Sequence, residues 1–435
     1  MKSRRIVLST FGSFGDVHPY IALALELKAR GHRPVIATSE IYREKTDALG
    51  LELHPVRPVV PSYDEPEEIS RVIEKVMDAR TGTEEVFNTF IIPHLRDIYD
   101  DLSAAVGGAD LLVTHPLSIA GPLVAERTGI AWVSSVLAPI SLFSAHDPPV
   151  PPQLPAMYHL LKLHPLVGRA LMGLAKRKLG SLSVAVGNLR ADLGLPPSAA
   201  HPLFEGQHSP TLVLALFSSV LAEPQPDWPP RTRITGFPFH DRRDRAGDDQ
   251  EGRGLSAELA DFLDRGAPPI VFTLGSSAIW VAKDFYSESM AAALALGRRA
   301  LLLIGHERNR PSEPLPEGVA AFEYAPYGEV LPRASAVVHQ GGVGTTGQTL
   351  RAGRPALVVP FSHDQFDNGA RVGRLGCGRM LARTRYNAAS ATRELRAILD
   401  DENYQVNATR VGRRVQAERG ARDACDAIEE VLAGS

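Results

Sequence analysis

The run His339-Gln-Gly-Gly-Val-Gly-Thr-Thr-Gly-Gln348 has the composition of an anion-binding turn. The apolar residues Ala336 to His339 predict a strand entering it and Thr345 to Ala352 a helix leaving it, so bare amides at a helix start would meet a ligand. Gly341, Gly342 and Gly344 let the main chain approach closely, and His339, Thr345 and Thr346 add side-chain donors. The helix dipole favours an anion there by about 0.3 to 1 kcal/mol, and each hydrogen bond to a charged group adds about 1.5 to 3 kcal/mol. No Gly-Lys-Ser/Thr follows, which excludes a Walker phosphate loop.

Two further turns carry polar chemistry. In Pro360-Phe-Ser-His-Asp-Gln-Phe-Asp-Asn368, the carboxylate of Asp364 and the amide of Gln365 can together accept from and donate to vicinal hydroxyls, as sugar recognition requires. Gly12-Ser-Phe-Gly-Asp-Val-His-Pro19 departs from GxGxxG but offers a carboxylate, Asp16, and an imidazole, His18, either of which could act as a base. The plainer reading makes Asp16 the N-cap of a helix that starts at Pro19.

These turns need strands and helices to position them. Arg5 to Thr10 reads as a buried strand, Pro19 to Arg30 as a helix ended by Gly31, and Pro34 to Thr38 as the next strand, which makes one βαβ unit. Asp110 to Thr114 and Ala131 to Val136, separated by a helical pattern from Ala120 to Arg127, continue the alternation. Ala138 to Pro155 is proline-dense. Met157 to Leu179 then gives a helical pattern rich in Met157, Leu160, Leu161, Leu163, Leu166 and Val167, either packing on the first domain or walling a pocket for an apolar ligand. After Glu223 to Gly254, which is rich in proline and then in charge, alternation resumes: helix Ser256 to Arg265, strand Ile270 to Leu274, helix Phe285 to Leu296, strands Ala300 to Ile304 and Ala336 to His339, and strand Ala356 to Val359.

The expected architecture is α/β: two Rossmann-like βαβ domains facing across a cleft. Residues 1–222 form an acceptor-binding domain, 223–253 a linker, 254–415 a donor-binding domain, and 416–435 a helix that braces the first domain. Fifty acidic against forty-seven basic residues, a net charge of −3, leave no basic footprint for nucleic acid. No apolar run reaches the roughly 18 residues of a membrane span, and the short stretch Ile6 to Leu8 is no signal-peptide core. Two cysteines, Cys377 and Cys425, make neither a disulfide framework nor a zinc site and suit the cytoplasm. A peripheral membrane contact through Lys176, Arg177 and Lys178 stays open.

Taken together, the turns resemble those of the inverting nucleotide-sugar glycosyltransferases of the GT-B fold. Gly12 to Pro19 looks like that family's Gly-Ser-x-Gly-Asp-Val-x-Pro motif, and Tyr324-Ala-Pro-Tyr327 through His339 to Asp364 and Gln365 is similar to its donor signature. Ser144 to Val150, Asp227-Trp-Pro229, Thr235 to Pro238 and His363 to Asn368 are most similar to bacterial rhamnosyltransferases of the rhamnolipid type.

The resemblance implies Asp16 as catalytic base, with His18 as its alternative or helper. It implies Tyr324 under the nucleotide base; Gly275, Ser276, His339, Gly341, Gly342, Thr345 and Thr346 on the diphosphate; and Asp364 with Gln365 on the sugar. Two departures carry meaning. Gly347 beside Gln348 stands where plant relatives have a ribose-binding Glu, which favours a dTDP-sugar over a UDP-sugar. His115 stands where His-based relatives have an orienting Asp, which favours Asp16 over His18 as the base.

His115, Phe143, Met157 and Leu161 are the acceptor-pocket candidates, for a lipid, polyphenol or macrolide hydroxyl. The implied reaction transfers rhamnose or glucose with inversion. It uses no cofactor and no metal, and the chain has no Asp-x-Asp to hold one. A noncatalytic nucleotide-sugar-binding partner is the alternative, and an NAD-dependent oxidoreductase, with Glu40 near the second strand's end, a more distant one.

Overall fold

The computed structural model describes residues 2–61, 65–152, 155–161, 164–240, 254–311 and 314–434. The charged part of the expected linker, 241–253, and Leu163 lie outside the described residues. The chain forms two compact units. One comprises Met1–Glu65, Thr81–His240 and Arg419–Ser435, the other Pro66–Arg80 and Asp241–Glu418.

The first unit is built on a seven-stranded parallel sheet: β1 Arg5–Ser9, β2 Arg33–Thr38, β3 Glu52–Pro55, β4 Leu111–Thr114, β5 Ala131–Val136, β6 Val213–Ala215 and β7 Thr232–Ile234, in the order 3-2-1-4-5-6-7. The second has six parallel strands: β8 Ile270–Thr273, β9 Ala300–Leu303, β10 Val319–Phe322, β11 Ala336–His339, β12 Ala356–Val358 and β13 Gly378–Met380, in the order 10-9-8-11-12-13. Both are Rossmann-like. Central strands such as β4, β8 and β11 are buried at every residue, which is why they read as unbroken apolar runs rather than as alternating ones.

Each sheet reverses its strand order once, between β1 and β4 and between β8 and β11. Ligands of such sheets sit beyond the carboxyl ends of the strands at that reversal. The turn after β1 therefore lies beside the end of β4, and the turn after β8 beside the end of β11. All three sequence turns are accounted for, since Pro360 to Asn368 follows the adjacent β12.

The first helix corrects one expectation. It spans Phe14–Ala29, with Ser13 as its N-cap, so Pro19 lies inside it and Asp16 is not the cap. Ser13 and Asp16 form a reciprocal capping box that satisfies the amides of the first turn, and this fixes the start five residues before the proline. The helix after β11 likewise starts early, at Val343, which puts Thr345 and Thr346 within its first turn. Strands β3, β6, β7, β10 and β13, only three or four residues each, were not separable from loops by pattern alone.

Residues Pro66–Val76 form a helix whose Ile73 and Val76 join the hydrophobic core of the second unit around Phe272, Phe285 and Leu302. The last helix, Gly420–Ala433, packs on the first. There Arg30 reaches Asp426 at 2.6 Å and Glu429 at 2.7 Å, and His32 Nε2 lies 3.0 Å from Glu429 Oε1.

Candidate active site

The first unit presents a carboxylate and an imidazole together. Ser9 pairs with Thr114 across β1 and β4, and the His115 amide donates to the Ser9 carbonyl at 2.9 Å, so the two strands deliver their following residues side by side. Gly12 has φ +133, and a Cβ there would lie 2.2 Å from Asp16 Oδ2. Only glycine leaves room for the carboxylate. Asp16 Oδ2 accepts the Ser13 amide at 2.8 Å, while Oδ1 faces His115 Nε2 at 3.5 Å.

His115 is buried, and its Nδ1 accepts the Leu117 amide at 3.1 Å. With that nitrogen acting as acceptor, the ring N–H lies on Nε2, toward Asp16. Tyr20 backs the imidazole edge-on at 6.0 Å between ring centroids, with its hydroxyl held by Ser135 at 2.7 Å. Asp16 keeps 33% of its side chain open to solvent. The arrangement is a carboxylate with one oxygen pinned and the other steadied, still partly open to solvent.

His18 is not part of this pair. It packs between the rings of Phe14 and His240, at 5.2 and 5.3 Å, with Nε2 buried. Burial, with Lys45 and His240 nearby, holds its imidazole far below its ordinary range, so it stays neutral. Phe143, at φ +48, packs at a tilt against Phe204, 4.3 Å between ring centroids. Leu161 is buried and Met157 half-buried, whereas Leu160, Leu166 and Val167 are exposed.

In the second unit the turns after β8 and β11 interlock. Gly275, at φ +65, abuts the Gln340 side chain, where a Cβ would come 2.3 Å from Nε2. Gly341, at φ +94, lies so close to β12 and its turn that a Cβ would be 2.8 Å from the Gln365 carbonyl oxygen. His339 is fully buried, and its Nδ1 accepts the Gly341 amide at 3.0 Å. Burial pushes its pKa down to about 3, so Nε2 carries the proton of a neutral ring. Gly342 has no side chain to cap the helix Val343–Arg351, and space beside Gly344 is open.

Four polar atoms at this loop are buried without a partner among the described residues: His339 Nε2, Gln340 Oε1, Thr346 Oγ1 and Asn368 Oδ1. Native interiors leave few such atoms, and four at one loop mark a place for a polar ligand. Asp364 Oδ2 accepts the Val343 amide at 3.1 Å and the Asn368 side chain at 2.7 Å, tying the turn after β12 to the start of the helix. Gln365 Oε1 accepts the Phe361 and Ser362 amides at 2.8 and 3.2 Å. Ser276 lies in the short helix Gly275–Ala278, and Tyr324, 39% exposed, follows β10.

Gln340, Asn368, Ser13 and Tyr20 were missed as site residues. All but Tyr20 lie inside quoted motifs, but only the backbone course shows which of them point inward. No group of three His, Cys, Asp or Glu among the described residues is placed to hold a metal ion.

Comparisons with known proteins give the family of the chain. Residues 6–137 match the glycosyltransferase family 28 N-terminal domain, and residues 288–431 match the erythromycin biosynthesis protein CIII-like C-terminal domain. An O-mycaminosyltylonolide 6-deoxyallosyltransferase of Streptomyces fradiae is 32% identical over 98% of this chain and 97% of its own. The chain therefore belongs to the GT-B nucleotide-sugar glycosyltransferases, and it is an enzyme of that class. The oxidoreductase and noncatalytic alternatives give way.

Solved structures share the fold. The glycosyltransferase of kitacinnamycin has a TM-score of 0.71 at 21% identity, covering 99% of this chain and 100% of its own. A spinosyn rhamnosyltransferase complexed with thymidine diphosphate has a TM-score of 0.63 at 15% identity, covering 98% and 100%.

Proposed function

We propose that the enzyme transfers a hexose or 6-deoxyhexose, rhamnose or glucose in type, from a dTDP-sugar to a hydroxyl of a hydrophobic natural product, inverting the anomeric carbon. The observation that carries this reading is Asp16, whose Oδ2 is held by Ser13 and whose Oδ1 faces His115. As the acceptor oxygen attacks C1, its proton passes to the Asp16 carboxylate. The bond from C1 to the diphosphate oxygen breaks, and its electron pair leaves with the nucleotide. Negative charge then grows on the diphosphate, where His339 Nε2, Thr346 and the Gly344 and Thr345 amides of the helix's first turn would meet it. Gly275, Ser276, Gly341, Gly342 and Thr345 complete that grip, Tyr324 carries the base, and Asp364 with Gln365 reads the sugar.

These donors can stabilise the leaving group by hydrogen bonds without a divalent cation, so activity in excess chelator belongs to the same proposal. Gly347 and Gln348 in place of a ribose-binding carboxylate favour a deoxyribose donor, and the thymidine diphosphate bound to a structural neighbour supports it. The tylonolide acceptor named for the Streptomyces relative supports an apolar hydroxylated acceptor. The scarcity of cysteine supports a cytoplasmic enzyme; among the described residues no helix is long and apolar enough to cross a membrane.

Asp16→Asn tests the mechanism. It should leave thymidine diphosphate affinity unchanged and lower turnover by about 10² or more. Turnover within a factor of a few of the parent would remove Asp16 from the role of base.

A further inference from the structure

The helix Pro165–Lys178 turns apolar residues outward. Its inner side is fixed by Gly168, where an added Cβ would lie 3.3 Å from the Cα of Ala145. That segment is itself pinned, since Asp227 accepts the Ser144 hydroxyl and the Ala145 amide, both at 2.6 Å. On the opposite side Leu166, Ala170 and Leu174 recur every fourth residue, with Leu166 61% and Leu174 57% exposed and Val167 beside them. Leu160 and Val184, more than half exposed, lie on the helices Tyr158–Leu161 and Gly180–Asp192 that contact this one.

The same helix carries Arg169, Lys176, Arg177 and Lys178 and no acidic residue. Lys176 pairs with Glu205 and Lys178 with Glu84, but Arg169 and Arg177 pair with no acid among the described residues. We infer that this face is a docking surface for a lipid bilayer bearing anionic headgroups. The helix lies in the plane of the interface with Leu166 and Leu174 in the acyl boundary and the arginines among the phosphates. Apolar and basic residues on one outward face are the composition such interfacial helices need. Charge complementarity favours lipid over a second copy, because the same helix on a second copy would bring cations and no acid to pair with them. The inference stands on this helix alone and does not depend on the identity of the donor or of the base.

The test is co-sedimentation of the full chain with vesicles of equimolar phosphatidylcholine and phosphatidylglycerol, and with phosphatidylcholine alone. The parent should partition to the anionic vesicles, and salt should weaken this. At about fivefold per surface cation, the Arg169→Gln, Arg177→Gln double variant should partition about thirtyfold less. The Leu166→Gln, Leu174→Gln variant should lose at least about tenfold. Both should keep the parent's affinity for thymidine diphosphate, which separates lost docking from lost folding. A parent that stays in the supernatant with anionic vesicles overturns the inference. So does a parent that runs as a dimer which the leucine variant converts to monomer.

Discussion

At the scale of single residues, the proposed mechanism makes the His115 imidazole, paired with Asp16, a positioning group rather than the base. Its Nδ1 is committed to the Leu117 amide, so the ring presents only an N–H to the carboxylate. His115→Ala should lower kcat by about tenfold or more while leaving the KM for the donor near the parent value. His115→Gln can place an amide N–H near the position of Nε2 and should recover part of the loss, whereas His115→Ala cannot. Equal kcat in the two variants would show that packing, not the hydrogen bond, is what His115 supplies.

His339 makes a second residue-scale case, about pH. Its folded pKa of about 3 lies below the ordinary value of 6.5, so the unfolded chain takes up the proton first. Stability of the second unit is therefore full above about 6.5 and falls as the pH drops toward about 3. His339→Gln should flatten that slope in urea unfolding measured at a series of pH values. Because the ring is neutral throughout the range above 6.5, thymidine diphosphate affinity there should show the same pH dependence in parent and variant. A step present only in the parent would mean that the ring binds as an imidazolium.

At the scale of elements, the sequence was most legible where chemistry and periodicity coincide. Buried central strands such as β4, β8 and β11 announce themselves as apolar runs, and glycine marks the turns because Gly12, Gly275 and Gly341 all adopt positive φ against close neighbours. The start of the first helix was less legible, because two signals compete there. A proline suits a first turn, but the Ser13 and Asp16 capping box satisfies two amides and outweighs it. The outward side of Pro165–Lys178 could not be read at all: residues spaced for burial and residues spaced for exposure have the same period, and only Gly168 against Ala145 decides which side is which. The Asp16 and His115 contact depends on two strands 105 residues apart in sequence pairing in register, which no local pattern reports.

At the scale of the whole molecule, the chain does not fold as two consecutive halves. Residues 66–80 join the second unit, and residues 419–435 return to the first. The returning helix depends on a close approach at its first residue, where a Cβ on Gly420 would lie 2.1 Å from the Phe237 carbonyl oxygen. Backbone cannot yield as a flexible side chain does, so Gly420→Ala must push the helix outward and loosen Arg30 and His32 from Asp426 and Glu429. Overpacking of this kind costs about 1 to 3 kcal/mol. The loss should appear as earlier unfolding of the first unit, followed by urea denaturation, with thymidine diphosphate affinity of the second unit preserved. Turnover should fall only as far as the first unit is unfolded at the assay temperature. An unfolding midpoint equal to the parent's would show that the last helix holds its place without the glycine contact.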